Sequence, residues 1–302
     1  MRSYSLYTVI SLDLIFFLFF IFDYEYKDYY LLIPGIVVPI IAFDYSGDML
    51  TDLAYAIGNK MNFTHGKVGI YIISFFSVID ELITASMAAF YRYGSISFGT
   101  IEGSNFITLL FFIFIIPFLK DKRSYIIDIA FLIILSLIML FLSFYLSLLN
   151  ILFSIILIII FIIYIFTINK TEEKNDVVEY TSFDYLSIIS IFMIIISSYI
   201  LVKSVDIVSY IFHVNGFLSS FIIIGIAGSL PELILTYIAI KKGMVASSRI
   251  LTGSTVYKFS LVPGISALIG AVYIKNSYYY TILIISMGVF ILLFSLLQKP
   301  QN

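Results

Sequence analysis

Apolar segments of about twenty residues follow one another along almost the whole of this 302-residue chain. Twenty residues of α-helix span roughly 30 Å, the thickness of the hydrocarbon core of a bilayer. Hydrophobic residues make up 61% of the chain and charged residues only 12%. A soluble fold of this size cannot hide so much apolar surface, because soluble proteins rarely expose large contiguous apolar patches to water. The segments do not alternate as barrel strands do. The sequence therefore predicts an all-α, polytopic membrane protein.

The apolar segments divide into about ten transmembrane helices. We predict spans at 5–22, 30–58, 67–92, 97–119, 124–146, 148–168, 184–213, 216–241, 246–272 and 276–297. The first span carries Asp13 and lacks a small-residue cleavage site, so we expect it to stay in the mature protein. The one clearly hydrophilic connection predicts an N-terminal half at 1–168, a loop at 169–183 and a C-terminal half at 184–302.

Lysine and arginine are distributed very unevenly between the two sides that these spans define. Three of them fall on one side: Lys27, Arg92 and Lys275. Twelve fall on the other: Arg2, Lys60, Lys67, Lys120, Lys122, Arg123, Lys170, Lys174, Lys241, Lys242, Arg249 and Lys299. Basic residues are retained on the cytoplasmic side. We therefore expect both termini and the 169–183 loop to be cytoplasmic, with the cell membrane as the location.

Composition also limits the partners and the chemistry. The chain has no cysteine, which excludes disulfides and thiolate metal sites. Its net charge of −2 gives no reason to invoke nucleic acid. Membrane lipids and small cations are the partners that remain, and the oligomeric state is left open.

A weak internal repeat links the two halves. Residues 77–83 (SVIDELI) align with residues 228–234 (GSLPELI), and Gly103-Ser104 aligns with Gly253-Ser254 at nearly the same offset. Five spans separate the third span from the eighth, so the two copies must cross the membrane in opposite directions. Inverted repeats with helices broken at mid-membrane recur among carriers. The pattern therefore predicts that architecture here.

Two glutamates, Glu81 and Glu232, lie near the middle of the third and eighth spans. A charge at mid-bilayer costs about 2.5–3.5 kcal/mol on insertion scales, so such a residue usually faces a cavity or a partner. A protonated carboxyl or a pair with a neighbouring helix is the alternative. Pro231 removes a helix hydrogen bond and frees carbonyl oxygens beside Glu232, and Ser229 adds a hydroxyl. Such hard oxygens suit Ca²⁺ or Na⁺, although a simple proline kink explains Pro231 equally well.

Other polar residues in the spans are less specific. The two Gly-Ser pairs either line a polar path or simply allow close helix packing. Four further acids either follow an access path or lie at the interface: Asp44, Asp48, Asp52 and Asp206.

The motif GSLPEL at 228–233, followed by Gly253-Ser254, resembles the second α-repeat of the calcium/cation antiporter superfamily, which includes the sodium/calcium exchangers. Ser77 to Glu81, followed by Gly99 and Gly103-Ser104, resembles its first α-repeat. The resemblance implies repeats at 67–119 and 216–272, with Glu81 and Glu232 as metal ligands for a transported ion. It also implies a set of further oxygen ligands: Ser77, Ser104, Ser229 and Ser254.

The chain departs from the family pattern at four positions. Asp80 stands where the first repeat usually has proline, and Gly228 stands where the second usually has threonine. Thr108 and Lys258 occupy positions where asparagine or aspartate is typical. A lysine at this depth needs a partner, unless its stem reaches an interface. We expect Asp80 to be its counter-charge and the ammonium to replace one bound cation.

These features favour a secondary antiporter, with no resident cofactor, that exchanges Ca²⁺ or a related cation against Na⁺ or H⁺ by alternating access. An intramembrane enzyme is the main rival. Gly47-Asp48 is not a Gly-x-Gly-Asp run, and His65 and His213 lie too far apart for a His-Glu-x-x-His site. A proton-coupled carrier of another small ion and a decayed transporter without exchange activity both remain open.

Overall fold

The computed structural model describes residues 2–23, 29–60, 71–72, 74–118, 125–171, 186–241, 247–275 and 277–297. Ten helices of more than ten residues lie within these ranges: α1 Arg2–Asp23, α2 Leu32–Lys60, α3 Ile79–Phe90, α4 Gly94–Ile115, α5 Ile126–Tyr145, α6 Ile151–Thr171, α7 Leu186–Ile211, α8 Gly216–Lys241, α9 Ser247–Ile269 and α10 Tyr278–Leu297. One helix falls in each predicted span, and the described part of the chain has no strand longer than a single bridge. The all-α prediction is confirmed.

Seven helices of the described chain are long and apolar enough to cross a bilayer, and they lie in α2, α4, α5, α6, α7, α8 and α10. The other three fall short for separate reasons. The apolar part of α1 is only Leu6–Phe22. Helix α3 has only 12 residues, and α9 is rich in serine, threonine and glycine and carries Lys258. Ten crossings therefore stay a prediction.

The third span is interrupted just before its two acidic residues. A short helical turn, Ser74–Phe76, is followed by a turn at Ser77 and Val78, and α3 begins at Ile79. Asp80 and Glu81 therefore lie in the first turn of α3, where the helix dipole favours negative charge. The eighth span behaves differently, because α8 continues as one helix through Pro231. The sequence pattern predicts a break in both repeats, and this prediction is wrong for the second.

Helices α4 and α8 approach each other more closely than side chains would normally allow. A Cβ atom added at Gly103 would overlap the carbonyl oxygen of Phe221, and one at Gly225 would lie 2.6 Å from the carbonyl carbon of Gly103. Glycine at both positions lets the two backbones touch. Of the two explanations for the first Gly-Ser pair, close packing therefore applies to Gly103, which leaves Ser104 free for another role.

The remaining helices surround a core of four. Helix α3 packs against α9, and α4 packs against both α8 and α9. Helices α2 and α7 form a second pair, which contacts α3 and α8, and α1 packs on the outside of that pair. Asp13 of α1 is buried there, where it accepts a hydrogen bond from Ser197 of α7 at 3.0 Å. Helices α3, α4, α8 and α9 thus enclose the polar centre.

Candidate functional site

The centre of the four-helix core holds a buried ammonium group surrounded by oxygen. The Nζ atom of Lys258 lies 2.6 Å from Oε2 of Glu232, 2.7 Å from Oγ of Ser104, 3.1 Å from Oε1 of Glu81 and 3.2 Å from Oγ1 of Thr108. Neither the lysine nor either glutamate has more than 1% of its side chain exposed. We call these four residues around Lys258 the oxygen cage.

The four members of the oxygen cage come from three helices. Glu81 belongs to α3, Ser104 and Thr108 lie one turn apart on α4, and Glu232 belongs to α8. Lys258 is eleven residues from either end of α9. Its stem therefore cannot carry the charge to an interface, and the snorkelling alternative is excluded.

Hydrogen bonds among the oxygens hold the two carboxylates in place. Ser104 donates to Oε1 of Glu81 at 2.6 Å, and Thr108 donates to Oε2 of Glu232 at 3.1 Å. Both hydroxyls also accept a hydrogen bond from Lys258, so each uses its donor and an acceptor. Oε2 of Glu81 has no hydrogen-bond partner. The cage is thus ordered but still has unused acceptor capacity.

The counter-charges of Lys258 differ from the sequence-based expectation. Asp80 is buried, but its side chain forms no ion pair with Lys258, and its Oδ2 atom has no hydrogen-bond partner. The prediction that Asp80 pairs with Lys258 is therefore wrong, because Glu81 and Glu232 take that role. The reason is geometric: consecutive residues of a helix point about 100° apart, so Glu81 and Asp80 cannot both face the ammonium.

The predicted serine ligands contribute unequally. Ser104 is part of the oxygen cage, whereas Ser77 reaches Oε1 of Glu232 only at 3.5 Å. The hydroxyl of Ser229 donates to the carbonyl of Gly225 at 2.8 Å in its own helix, and Ser254 donates to that of Leu251 at 2.8 Å. The structure therefore does not bring the Ser229 hydroxyl to the carboxylates.

Gly228 provides the space into which Glu81 extends. A Cβ atom at this position would lie 3.0 Å from both Cγ and Oε1 of Glu81. A threonine, as the resemblance would have at this position, would meet the Glu81 side chain. Glycine in place of threonine at position 228 thus leaves the space that the inward-pointing Glu81 side chain occupies. Pro231 lies on α8 one residue before Glu232, with Gly47 of α2 against its ring.

Of the four less specific acids, Asp44 and Asp206 lie outside the oxygen cage. Asp44 is exposed and Asp206 is partly exposed. Side-chain positions for Asp48 and Asp52 lie outside the described part of the structure, as do most of the 169–183 loop and several of the basic residues used to predict orientation.

Two buried acids were not singled out by the sequence analysis. Glu102 of α4 accepts a hydrogen bond from Thr281 of α10 at 2.6 Å. Asp128 of α5 accepts hydrogen bonds from Tyr164 at 3.0 Å and from Thr252 at 2.7 Å. The sequence feature that could have indicated them is a single acidic residue inside an apolar span. Neither residue belongs to the repeat motif on which the predictions rest.

The chemistry of the oxygen cage is that of a hard-cation site. It offers carboxylate and hydroxyl oxygens, which hard cations prefer. Its oxygens lie 2.6–3.2 Å from the ammonium nitrogen, slightly farther than the roughly 2.3–2.6 Å of a Ca²⁺–oxygen bond. Within the described residues, no three acidic or histidine side chains converge on one point. A divalent ion would therefore depend on hydroxyl or carbonyl oxygens as well.

Comparisons with known proteins give matches to membrane exchangers over most of the chain. The family model "Sodium/calcium exchanger protein" matches residues 31–169 and 185–301. Among solved structures, the H⁺/Ca²⁺ exchanger CAX has a TM-score of 0.71 at 17% identity, covering 98% of this chain and 87% of that one. The sodium-calcium exchanger NCX_Mj, soaked with zero Na⁺ and Ca²⁺, has a TM-score of 0.60 at 16% identity, covering 88% and 90%. A search of curated protein sequences gave no significant match.

Proposed function

Since the chain belongs to the sodium/calcium exchanger protein family, a family of integral membrane transporters rather than enzymes, we propose that it is a secondary active cation antiporter. It exchanges Ca²⁺ or a related cation against Na⁺ or H⁺ by alternating access. Glu81 and Glu232 bind the transported ion together with Ser104 and Thr108. No covalent step is involved.

The observation that carries this proposal is the position of the Lys258 ammonium. It lies between two carboxylates, where a cation bound by the same oxygens would lie. Lys258 therefore acts as a tethered cation that balances one of the two negative charges of the oxygen cage between transport events. A transported ion enters only when the ammonium leaves at least one of the carboxylates, because two cations within one cage repel each other strongly in a low dielectric.

The architecture that we propose for this activity has ten crossings and two inverted repeats, at 67–119 and 216–272. The reciprocal packing of α3 against α9 and of α4 against α8 supports it. Both glutamates also lie on corresponding elements, α3 and α8. The asymmetry of basic residues supports cytoplasmic termini and a cytoplasmic 169–183 loop, and we propose the cell membrane as the location.

Flux measured in proteoliposomes tests the function. We expect wild-type protein to move ⁴⁵Ca²⁺ in response to an imposed Na⁺ or H⁺ gradient, and each gradient is applied separately to identify the coupling ion. Lys258→Asp converts the tethered cation into a ligand and should make transport depend more steeply on the coupling ion. Lys203→Met is the matched control, because Lys203 is also a buried helical lysine but its ammonium lies near the rings of Tyr91 and Tyr93.

The same ammonium also supports a second candidate function, that of a transporter whose site is permanently filled. In that case wild-type protein shows no Ca²⁺ flux under either gradient, whereas Lys258→Asp restores flux by emptying the oxygen cage. Absence of cation flux from both proteins, with both correctly folded, would reject the antiporter. Flux of another small ion driven by a proton gradient would instead identify a proton-coupled carrier.

A further inference from the structure

A second buried carboxylate, Glu102, lies on α4 but faces away from the oxygen cage. It is fully buried, and its Oε1 atom accepts a hydrogen bond from Thr281 of α10 at 2.6 Å. Its Oε2 atom has no hydrogen-bond partner. Within the described part of the chain, the ion pairs of Lys258 are with Glu81 and Glu232, and no lysine or arginine forms an ion pair with Glu102.

Another unpartnered acceptor lies on the same side of α4. Asn105 follows Glu102 by three residues, and residues at this spacing are neighbours on a helix surface. The amide nitrogen of Asn105 donates to the carbonyl of Ile101 at 3.1 Å, but its Oδ1 atom is buried without a donor. Two acceptor oxygens, one of them charged when ionised, thus share one buried helix face.

A third oxygen without a hydrogen-bond partner, that of Ser136, belongs to α5, which packs against α10. Helix α5 runs antiparallel to α10. Ser295, near the end of α10, donates a hydrogen bond to Tyr125 at the start of α5, and the ring of Phe144, near the end of α5, lies 5.2 Å from that of Tyr278 at the start of α10. Ser136, near the middle of α5, has a buried Oγ atom with no partner. It therefore lies about one turn deeper along α10 than Thr281.

Asn105 lies at that same depth along α10. Glu102 bonds Thr281 near one end of α10, and the ring of Phe112 lies 5.1 Å from that of Tyr125, at the other end. Helix α4 therefore runs parallel to α10, and Asn105 is one turn farther along it than Glu102. Three oxygens without a hydrogen-bond partner thus lie beside the face of α10 that meets α4 and α5: Oε2 of Glu102, Oδ1 of Asn105 and Oγ of Ser136.

An isolated carboxylate in a membrane interior requires neutralisation. A proton on Glu102 would cancel its charge but would leave the Oδ1 atom of Asn105 without a donor unless the two groups met directly. A bound cation cancels the charge and coordinates several acceptors at once. A monovalent ion balances one carboxylate, whereas a divalent ion would leave a net positive charge in the bilayer.

We propose that Glu102, Asn105 and Thr281 form a second cation site, which holds a Na⁺-sized monovalent ion as a resident structural ion rather than as transported cargo. Ser136 is positioned to add a fourth oxygen. The site joins α4, which carries Ser104 and Thr108 of the oxygen cage, to α10. It goes beyond the proposed antiport, because it requires no flux.

Thermal stability of the purified full-length protein tests this site. The chain has neither tryptophan nor cysteine, so the folded fraction is followed by size-exclusion chromatography after heating. Sodium chloride at about 100 times the dissociation constant should raise the wild-type Tm by roughly 5 °C over choline chloride of equal ionic strength. Glu102→Gln should lose this Na⁺-dependent shift. Asp128→Asn, the matched control, should keep it, because both Asp128 oxygens already accept hydrogen bonds.

The sign of the Tm change in Asn105→Leu shows whether the Oδ1 atom of Asn105 binds an ion or has no partner at all. An orphaned buried oxygen destabilises the protein, so its removal leaves Tm unchanged or higher in both salts. Removal of an ion ligand instead lowers Tm in sodium chloride only. This variant keeps the test decisive if Glu102→Gln does not fold. A wild-type Tm that does not change with Na⁺ would overturn the proposal. A Na⁺-dependent shift that remains in Glu102→Gln would also overturn it, and the Na⁺ effect would then belong to the oxygen cage.

Discussion

Lys258 and Glu232 approach to 2.6 Å at the centre of the membrane-spanning core, although they belong to different helices and lie 26 positions apart. Both side chains are fully buried. A carboxylate and an ammonium at this distance form a charge-assisted hydrogen bond, and such bonds are roughly twice as strong as neutral ones. Glu81 of α3, at 3.1 Å, shares the same ammonium. Helices α3, α8 and α9 are thus joined through a single positive charge.

The first prediction concerns the stability that this ion pair provides. Lys258→Met leaves two buried carboxylates without a counter-charge, and breaking a buried pair in this way costs about 3–5 kcal/mol. We expect a clear fall in Tm. Adding Glu232→Gln removes one of the orphaned charges and should recover part of the loss, whereas adding Asp80→Asn should recover less. Equal recovery by both second substitutions would contradict the geometry of the oxygen cage.

The paired glutamates give a second prediction, which concerns transport. Glu81→Gln and Glu232→Gln keep the side-chain shape and one carbonyl acceptor but lose the charge that binds a cation. We expect each to abolish cation flux in proteoliposomes while the protein still elutes as a single folded species. Asp128→Asn serves as the control carboxylate outside the cage. Near-normal flux in either glutamine variant would remove that glutamate from the transport site.

Gly228 provides a third prediction, which tests the effect of moving the Glu81 carboxylate without removing its charge. In Gly228→Ala the added methyl group would lie 3.0 Å from Oε1 of Glu81. We expect the Glu81 carboxylate to move away from Lys258, with at least a tenfold loss of flux, or about 1.4 kcal/mol. Gly288→Ala is the control, because its added methyl would meet only the flexible side chain of Ile133 at 3.1 Å. Equal flux in the two variants would show that Glu81 tolerates displacement.

The fourth prediction is topological and uses the absence of native cysteine. Lys60→Cys and Lys275→Cys each introduce the only thiol of the chain at an exposed position. We expect a membrane-impermeant maleimide to label Lys275→Cys in intact cells and Lys60→Cys only after permeabilisation, because basic residues accumulate on the cytoplasmic side. The reverse pattern would invert the proposed orientation, and labelling of both in intact cells would show that an even number of crossings separates the two positions, against the odd number that we predict.

The sequence by itself determined where most of the helices lie and which polar residues fall near the middle of the spans. Runs of apolar residues that do not alternate as barrel strands do satisfy their backbone in a bilayer as helix. Each predicted span therefore contains a helix within a few residues of its expected bounds, except the third, whose helix begins only at Ile79. Glu81, Glu232 and Lys258 were identifiable because charged side chains at mid-membrane are costly and therefore rare. Ser104 and Thr108 were identifiable as site residues only through the resemblance to the antiporter superfamily.

Only the tertiary structure decided which of these polar residues meet. Asp80 and Glu81 are adjacent in sequence, yet helix rotation turns Glu81 alone toward Lys258. Ser229 matches the repeat motif, but its hydroxyl bonds the carbonyl of Gly225 in its own helix. Glu102 lies outside the repeat motif, and its neighbour Thr281 is 179 positions away. Contacts of this kind depend on the rotation and depth of each helix against its neighbours, and a one-dimensional pattern of polar and apolar residues does not encode them.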